Sequence, residues 1–111
     1  MSAFNTLRTV APCPDCGTNG EVEIQFRYGD TWQHVYHVGD RIKWGGNDVG
    51  VPGNASVVVE GIGGPCSNCG VKDLEYDILL DHDVIRGVRP IGTQRASPSP
   101  DGFVVVRAGD S

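Results

Sequence analysis

Two five-residue stretches constrain this chain more than anything else in it: Cys13-Pro14-Asp15-Cys16-Gly17 and Cys66-Ser67-Asn68-Cys69-Gly70. Two residues between cysteines let both sulfurs reach one ion from a tight turn, and N–H groups of that turn can hydrogen-bond the thiolates. A glycine after the second cysteine permits a left-handed backbone without Cβ strain. Two such turns supply four soft ligands in a tetrahedron, which suits Zn²⁺. Four thiolates leave no coordination position for a reactive water. One structural zinc ion held by Cys13, Cys16, Cys66 and Cys69 is therefore expected to stabilise the fold, with no chemistry of its own. The chain has 111 residues, one domain by length, and a core of that size gains from a metal clamp. The competing reading of either pair is a redox dithiol, but no βαβ pattern surrounds them.

The paired knuckles resemble those of the zinc-ribbon and rubredoxin-like group, a resemblance confined to about twenty residues. It implies zinc, with iron in a rubredoxin-like site as the alternative. Between Cys16 and Cys66 lie 49 residues, more than a compact ribbon uses, which implies an inserted antiparallel sub-sheet between the knuckles.

The rest of the chain reads as β-structure. Sixteen Gly and seven Pro, against 7% aromatics, suggest many turns and short strands. Residues 4–12 read as a lead-in strand. In "EVEIQFRY" Val22, Ile24, Phe26 and Tyr28 alternate with polar residues, the pattern of a half-buried strand. "TWQHVYHV" is expected to return antiparallel to it. The Gly39-Asp40 turn into "RIKW" is of a kind that recurs in small β-barrels. "GGNDVGVPGN" reads as a loop without the features of a phosphate-binding loop. The successive valines of "ASVVVEGI" predict burial on both faces or a bulge. In "LEYDILL" Leu74, Tyr76, Ile78 and Leu80 share a face, "DHD" reads as a turn, and "VIRGVRPI" as the returning strand. The fold class is mainly β: a zinc-clamped domain over 1–91, a linker-like segment over 92–102 with two Ser-Pro steps, and a last strand within 103–111. Alternating strands follow both knuckles, but Val22 comes six residues after Cys16 and Leu74 five after Cys69. One residue flips the face of a strand, so the two loops must differ if both feed one core.

Charge narrows the function. The formal net charge is −5; four thiolates add −4 and a divalent ion returns +2, leaving about −7. Such a surface disfavours nonspecific nucleic-acid binding and favours a basic protein partner. Arg86, Arg89, Arg95 and Arg107 make the C-terminal quarter locally basic, which keeps a nucleic-acid-binding zinc ribbon as an alternative. Rubredoxin-like electron transfer is the other. His34 and His37 are three residues apart in a strand pattern and point to opposite faces, a poor arrangement for sharing an ion. No catalytic constellation stands out, so a non-enzymatic interaction or adaptor module, including an inhibitor or immunity type, is the expected function. Its expected contact residues are Trp32, Tyr36, Trp44, Asn47 and Asp48, aromatic anchors beside a Gly-rich loop. The opening residues lack the apolar run of a secretion signal, and no stretch is long and apolar enough to span a bilayer. A cytoplasmic location, where thiols stay reduced, is therefore expected.

Overall fold

The alternating segments become the long strands of a single mixed sheet. The structure, a computed structural model, describes residues 4–13, 16–46, 48–63, 66, 68–70, 74–92 and 102–107. Among them are nine strands and no helix: β1 (Asn5–Pro12), β2 (Asn19–Phe26), β3 (Gly29–Asp30), β4 (Val35–Tyr36), β5 (Asp48–Val49), β6 (Ser56–Gly63), β7 (Leu74–Asp81), β8 (Val84–Gly92) and β9 (Phe103–Arg107). The main sheet runs β4-β1-β2-β6-β7-β8, with β9 also paired to β6. β3 and β5 form a separate antiparallel ladder. This is the mainly β class expected, and the inserted sub-sheet is present as that two-residue ladder.

Residues 34–42 join the two ends of the sheet. β4 lies parallel to β1 through Thr6–Val35 and Leu7–Tyr36. The same segment then reaches β8: Gly39 N–H donates to the Ile85 carbonyl at 2.7 Å, Ile85 N–H donates to the Asp40 carbonyl at 3.0 Å, and Arg41 bridges to Val84. The hydrogen-bonded circuit thus closes as a small barrel around Leu7, Ile24, Tyr36, Val59, Ile78 and Ile85, each at most 1% exposed. Burying an aliphatic side chain of that size contributes about 1.5–3 kcal/mol.

One expected pairing is replaced. "TWQHVYHV" does not form a hairpin with β2; only Val35–Tyr36 is a strand, and it is parallel to β1. The physical reason is Asn5, whose side chain is fully buried. Its Nδ2 donates to the carbonyls of Tyr28 and Asp30, each at 3.1 Å, and its Oδ1 accepts from His34 N–H at 3.0 Å. One side chain thus takes over backbone bonds that a hairpin ladder would otherwise satisfy. Gln33 turns with φ 57° on the way.

β6 carries the other expected irregularity. Val57 and Val59 are buried and Val58 is half-buried, and the β6–β9 register shifts between Ser56 and Val57. Further along, the inward positions are Gly61 and Gly63. A Cβ on Gly63 would stand 2.7 Å from Cε2 of Tyr76 and 3.2 Å from Cγ2 of Val22; one on Gly61 would collide with Ile24. Side chains of β2 and β7 therefore meet over β6, so the strands following the two knuckles are close although β6 runs between them. At the other end, "DHD" is the expected turn: His82 (φ 50°) and Asp83 (φ 67°) form a two-residue connection between β7 and β8, with the positive φ values of a type I′ hairpin.

Candidate metal centre

Each knuckle is the tip of a hairpin. β1 enters the first and β2 leaves it; β6 enters the second and β7 leaves it. β2 and β6 are antiparallel neighbours through Ile24–Gly63, Gln25–Ile62 and Phe26–Gly61, so both tips fall at the same end of the barrel. There the Sγ atoms of Cys13, Cys16, Cys66 and Cys69 all lie within 4.8 Å of one another. Two of the pairs cross between knuckles: Cys13–Cys69 at 3.8 Å and Cys16–Cys66 at 3.7 Å.

These distances carry chemical information. A sulfur tetrahedron around an ion with bonds of about 2.3 Å has edges of about 3.8 Å. A disulfide needs about 2.05 Å, and none of the four cysteines is in a disulfide. The donor set and its spacing therefore fit a four-coordinate thiophilic ion. The cleft beside Cys13 and Cys66 is about 40 Å³, room for about one water molecule.

The turns have the predicted construction. Gly17 and Gly70 have φ of 77° and 74°, and each donates its N–H to the carbonyl of the first cysteine of its knuckle, Cys13 or Cys66, at 2.8 Å. Cys16 N–H points at Cys13 Sγ at 3.5 Å. Cys13 is buried, Cys66 half-buried, and Cys16 and Cys69 exposed. Asn68 stitches the two knuckles: its Nδ2 donates to Thr18 Oγ1 at 3.2 Å and to Cys16 Sγ at 3.5 Å. The Thr18 backbone N–H, followed by the Asn68 amide and the Thr18 hydroxyl, lowers the Cys16 pKa from 9.0 to about 6. The Cys69 backbone N–H and then that of Asn68 lower the Cys66 pKa. Donors that stabilise thiolate over thiol prepare ligands for a cation. Burial pushes the Tyr76 hydroxyl up, and the charges of Cys13 and Cys66 add to it.

The expected contact residues separate. Trp32 is 66% exposed, whereas Tyr36 is 1% exposed. Tyr36 is thus a core residue with no face for a partner, and its hydroxyl accepts the Lys43 N–H at 3.0 Å. The period-two alternation put Tyr36 in the same strand pattern as exposed Val35 but gave no sign of which face turns inward. Trp44 is half-buried against Tyr28, with ring centroids 5.4 Å apart, and its indole Nε1 is buried without a hydrogen-bond partner among the described residues. Asp48 is exposed and caps the loop by accepting the Gly45 N–H at 2.8 Å. Asn47 lies outside the described residues. His34 and His37 do not converge: His34 contacts Asp30 at 3.2 Å and His37 contacts Asp40 at 3.6 Å. Asn5 and Asn68 were not anticipated; asparagine in a polar strand or loop carries no mark of its burial or of a sulfur neighbour.

No family model, curated protein or solved structure matches the chain. What the structure shows is the cluster of Cys13, Cys16, Cys66 and Cys69.

Proposed function

We propose that the protein is a zinc-stabilised, non-enzymatic binding module that contacts another protein through the face around Trp32. The observation that carries the reading is the pairing of a four-cysteine cluster with an indole held out in solvent. Four cysteine ligands leave the ion no vacant position, so its part is to fix two hairpin tips. Trp32, by contrast, keeps two thirds of its surface exposed, beside a left-handed Gln33. A large exposed aromatic on a constrained loop is the typical anchor of an interface. The acidic balance of the chain favours a basic partner.

Nucleic-acid binding draws less support. Arg89 is paired to Asp77 at 2.7 Å and Arg86 to Asp81 at 3.7 Å, which commits two of the four C-terminal arginines within the fold; Arg95 lies outside the described residues.

Native mass spectrometry of the full chain from fresh lysate tests both halves of the reading. One zinc per chain and a co-purifying protein lost on Trp32→Ala are expected, with the melting temperature unchanged. A red, iron-loaded protein would replace the zinc reading with electron transfer. Retention of the partner by Trp32→Ala would remove that residue from the interface.

A further inference from the structure

We propose that β9 is an exchangeable strand, and that the edge of β6 with its aromatic seat accepts the β9 of a second copy of this chain. This does not rest on the metal or on the Trp32 face.

The acceptor is built by the way β2 leaves the sheet. β2 pairs with only Gly61, Ile62 and Gly63 of β6, then departs after Phe26 toward Tyr28. The same edge of β6 is thereby left for another strand over Ser56–Val59, and β9 takes it through Val59–Phe103, Val58–Val104, Val57–Val105 and Ser56–Arg107. Gly102 supports the ladder by accepting the Glu60 N–H at 2.8 Å. Where β2 departs, Tyr28 forms the seat: the Phe103 ring meets it edge-on at 5.1 Å, and Trp44 meets Tyr28 at 5.4 Å.

β9 is anchored at its first residue. Phe103 is half-buried, and every residue after it is exposed, from Val104 to Arg107. Alternation should turn one face of a strand inward; here Val104, Val105 and Val106 are all at least 41% exposed. Among the described residues, the ladder to β6 and the packing of the Phe103 ring hold the strand. Its tether is the Ser-Pro-containing sequence of residues 93–101, whose nine residues set a maximum reach of about 30 Å.

These features favour a second copy over an unrelated partner. A copy brings a segment that matches the seat by construction, so the exchanged strand remakes in its neighbour the same ladder and ring packing that it leaves in its own chain. Only the tether's closure and the burial of the exposed valines between two barrels differ. At low concentration the tether favours the intrachain strand, since it holds β9 at millimolar effective concentration. Exchange is then a high-concentration state, and a shortened tether promotes it.

The test uses the full chain mixed with ¹³C-labelled full chain from about 10 μM to about 1 mM. A concentration-dependent dimer by light scattering is expected, with isotope-filtered NOEs between Phe103 of one copy and Tyr28 of the other. Deleting residues 96–99 should strengthen dimerisation at least about tenfold, whereas Phe103→Ala, which removes the same ring packing from both states, should leave it within about threefold. A protein monomeric throughout, or a dimer whose Phe103–Tyr28 NOEs are all intrachain, overturns the proposal. So does a deletion variant that dimerises no better than the parent, and this arm stands even if Phe103→Ala fails to fold.

Discussion

Asn5 shows how much one side chain can decide. It sits in the first strand with three hydrogen bonds and no exposure, holding the turn that leads β2 into β4. Asn5→Ala would leave two carbonyls and one N–H with lost partners inside the fold, at a cost of about 2–4 kcal/mol. Urea unfolding should show this as a lower midpoint with little change in slope. At the other end of the barrel, Cys16 has a testable acidity. In the metal-free protein its thiolate should be half-populated near pH 6, so alkylation of Cys16 should rise through that pH, and Asn68→Ala should move the rise upward. The folded pKa lies below the ordinary 9.0. Its contribution to the stability of the metal-free fold is therefore present above pH 9 and lost as pH falls through about 6. Peptide mapping after brief alkylation across that range checks the prediction; a Cys16 rate that follows an ordinary thiol would contradict it.

At the level of elements, β6 shows most clearly what can be read from sequence. Its valines announced burial on both faces or a bulge; Val57 and Val59 are buried, Val58 is only half-buried, and the ladder to β9 shifts register between Ser56 and Val57. Its glycines carried no such message, because a missing side chain says nothing about which neighbours fill the space. Gly61→Ala should therefore destabilise the protein by about 1–3 kcal/mol through collision with Ile24. Gly87→Ala, where a Cβ meets nothing within 4 Å, should be neutral or mildly stabilising. Thermal melts of the two variants compare them directly; equal shifts would show that β6 yields at little cost. The long strands β2, β6 and β7 were legible because alternation is a local signal, and so were Gly17 and Gly70, because left-handed backbone selects glycine. The expected hairpin between β2 and "TWQHVYHV" failed for the opposite reason: its competitor, the Asn5 side chain, sits at least 23 residues away from the carbonyls it binds, beyond the reach of any window.

For the molecule as a whole, the cysteine centre was the most legible feature, since its ligand chemistry requires a fixed short spacing within each half. The pairing of the halves at one end of a barrel depended on β2 and β6 becoming neighbours, which no local pattern encodes. Because the site joins two hairpin tips rather than creating the core, chelation should weaken the protein without dissolving all of it. Its melting temperature should fall by more than about 10 °C. Amide exchange should accelerate first around residues 16–20 and 66–70, while Ile78 and Ile85 stay protected. An unchanged melting curve after verified metal removal would show that the barrel stands without its clamp.

The separation of the half-sites also has a consequence during synthesis. Cys13 and Cys16 leave the ribosome 53 positions ahead of Cys66 and Cys69, which at about 5–20 residues per second is roughly 3–10 s. For that interval two thiols wait in a nascent chain whose β2 has no β6 to lie against. They can be oxidised or take an ion with borrowed ligands. The yield of correctly loaded protein should then depend on how fast the ribosome traverses residues 17–65, a property of the messenger RNA as well as of the polypeptide.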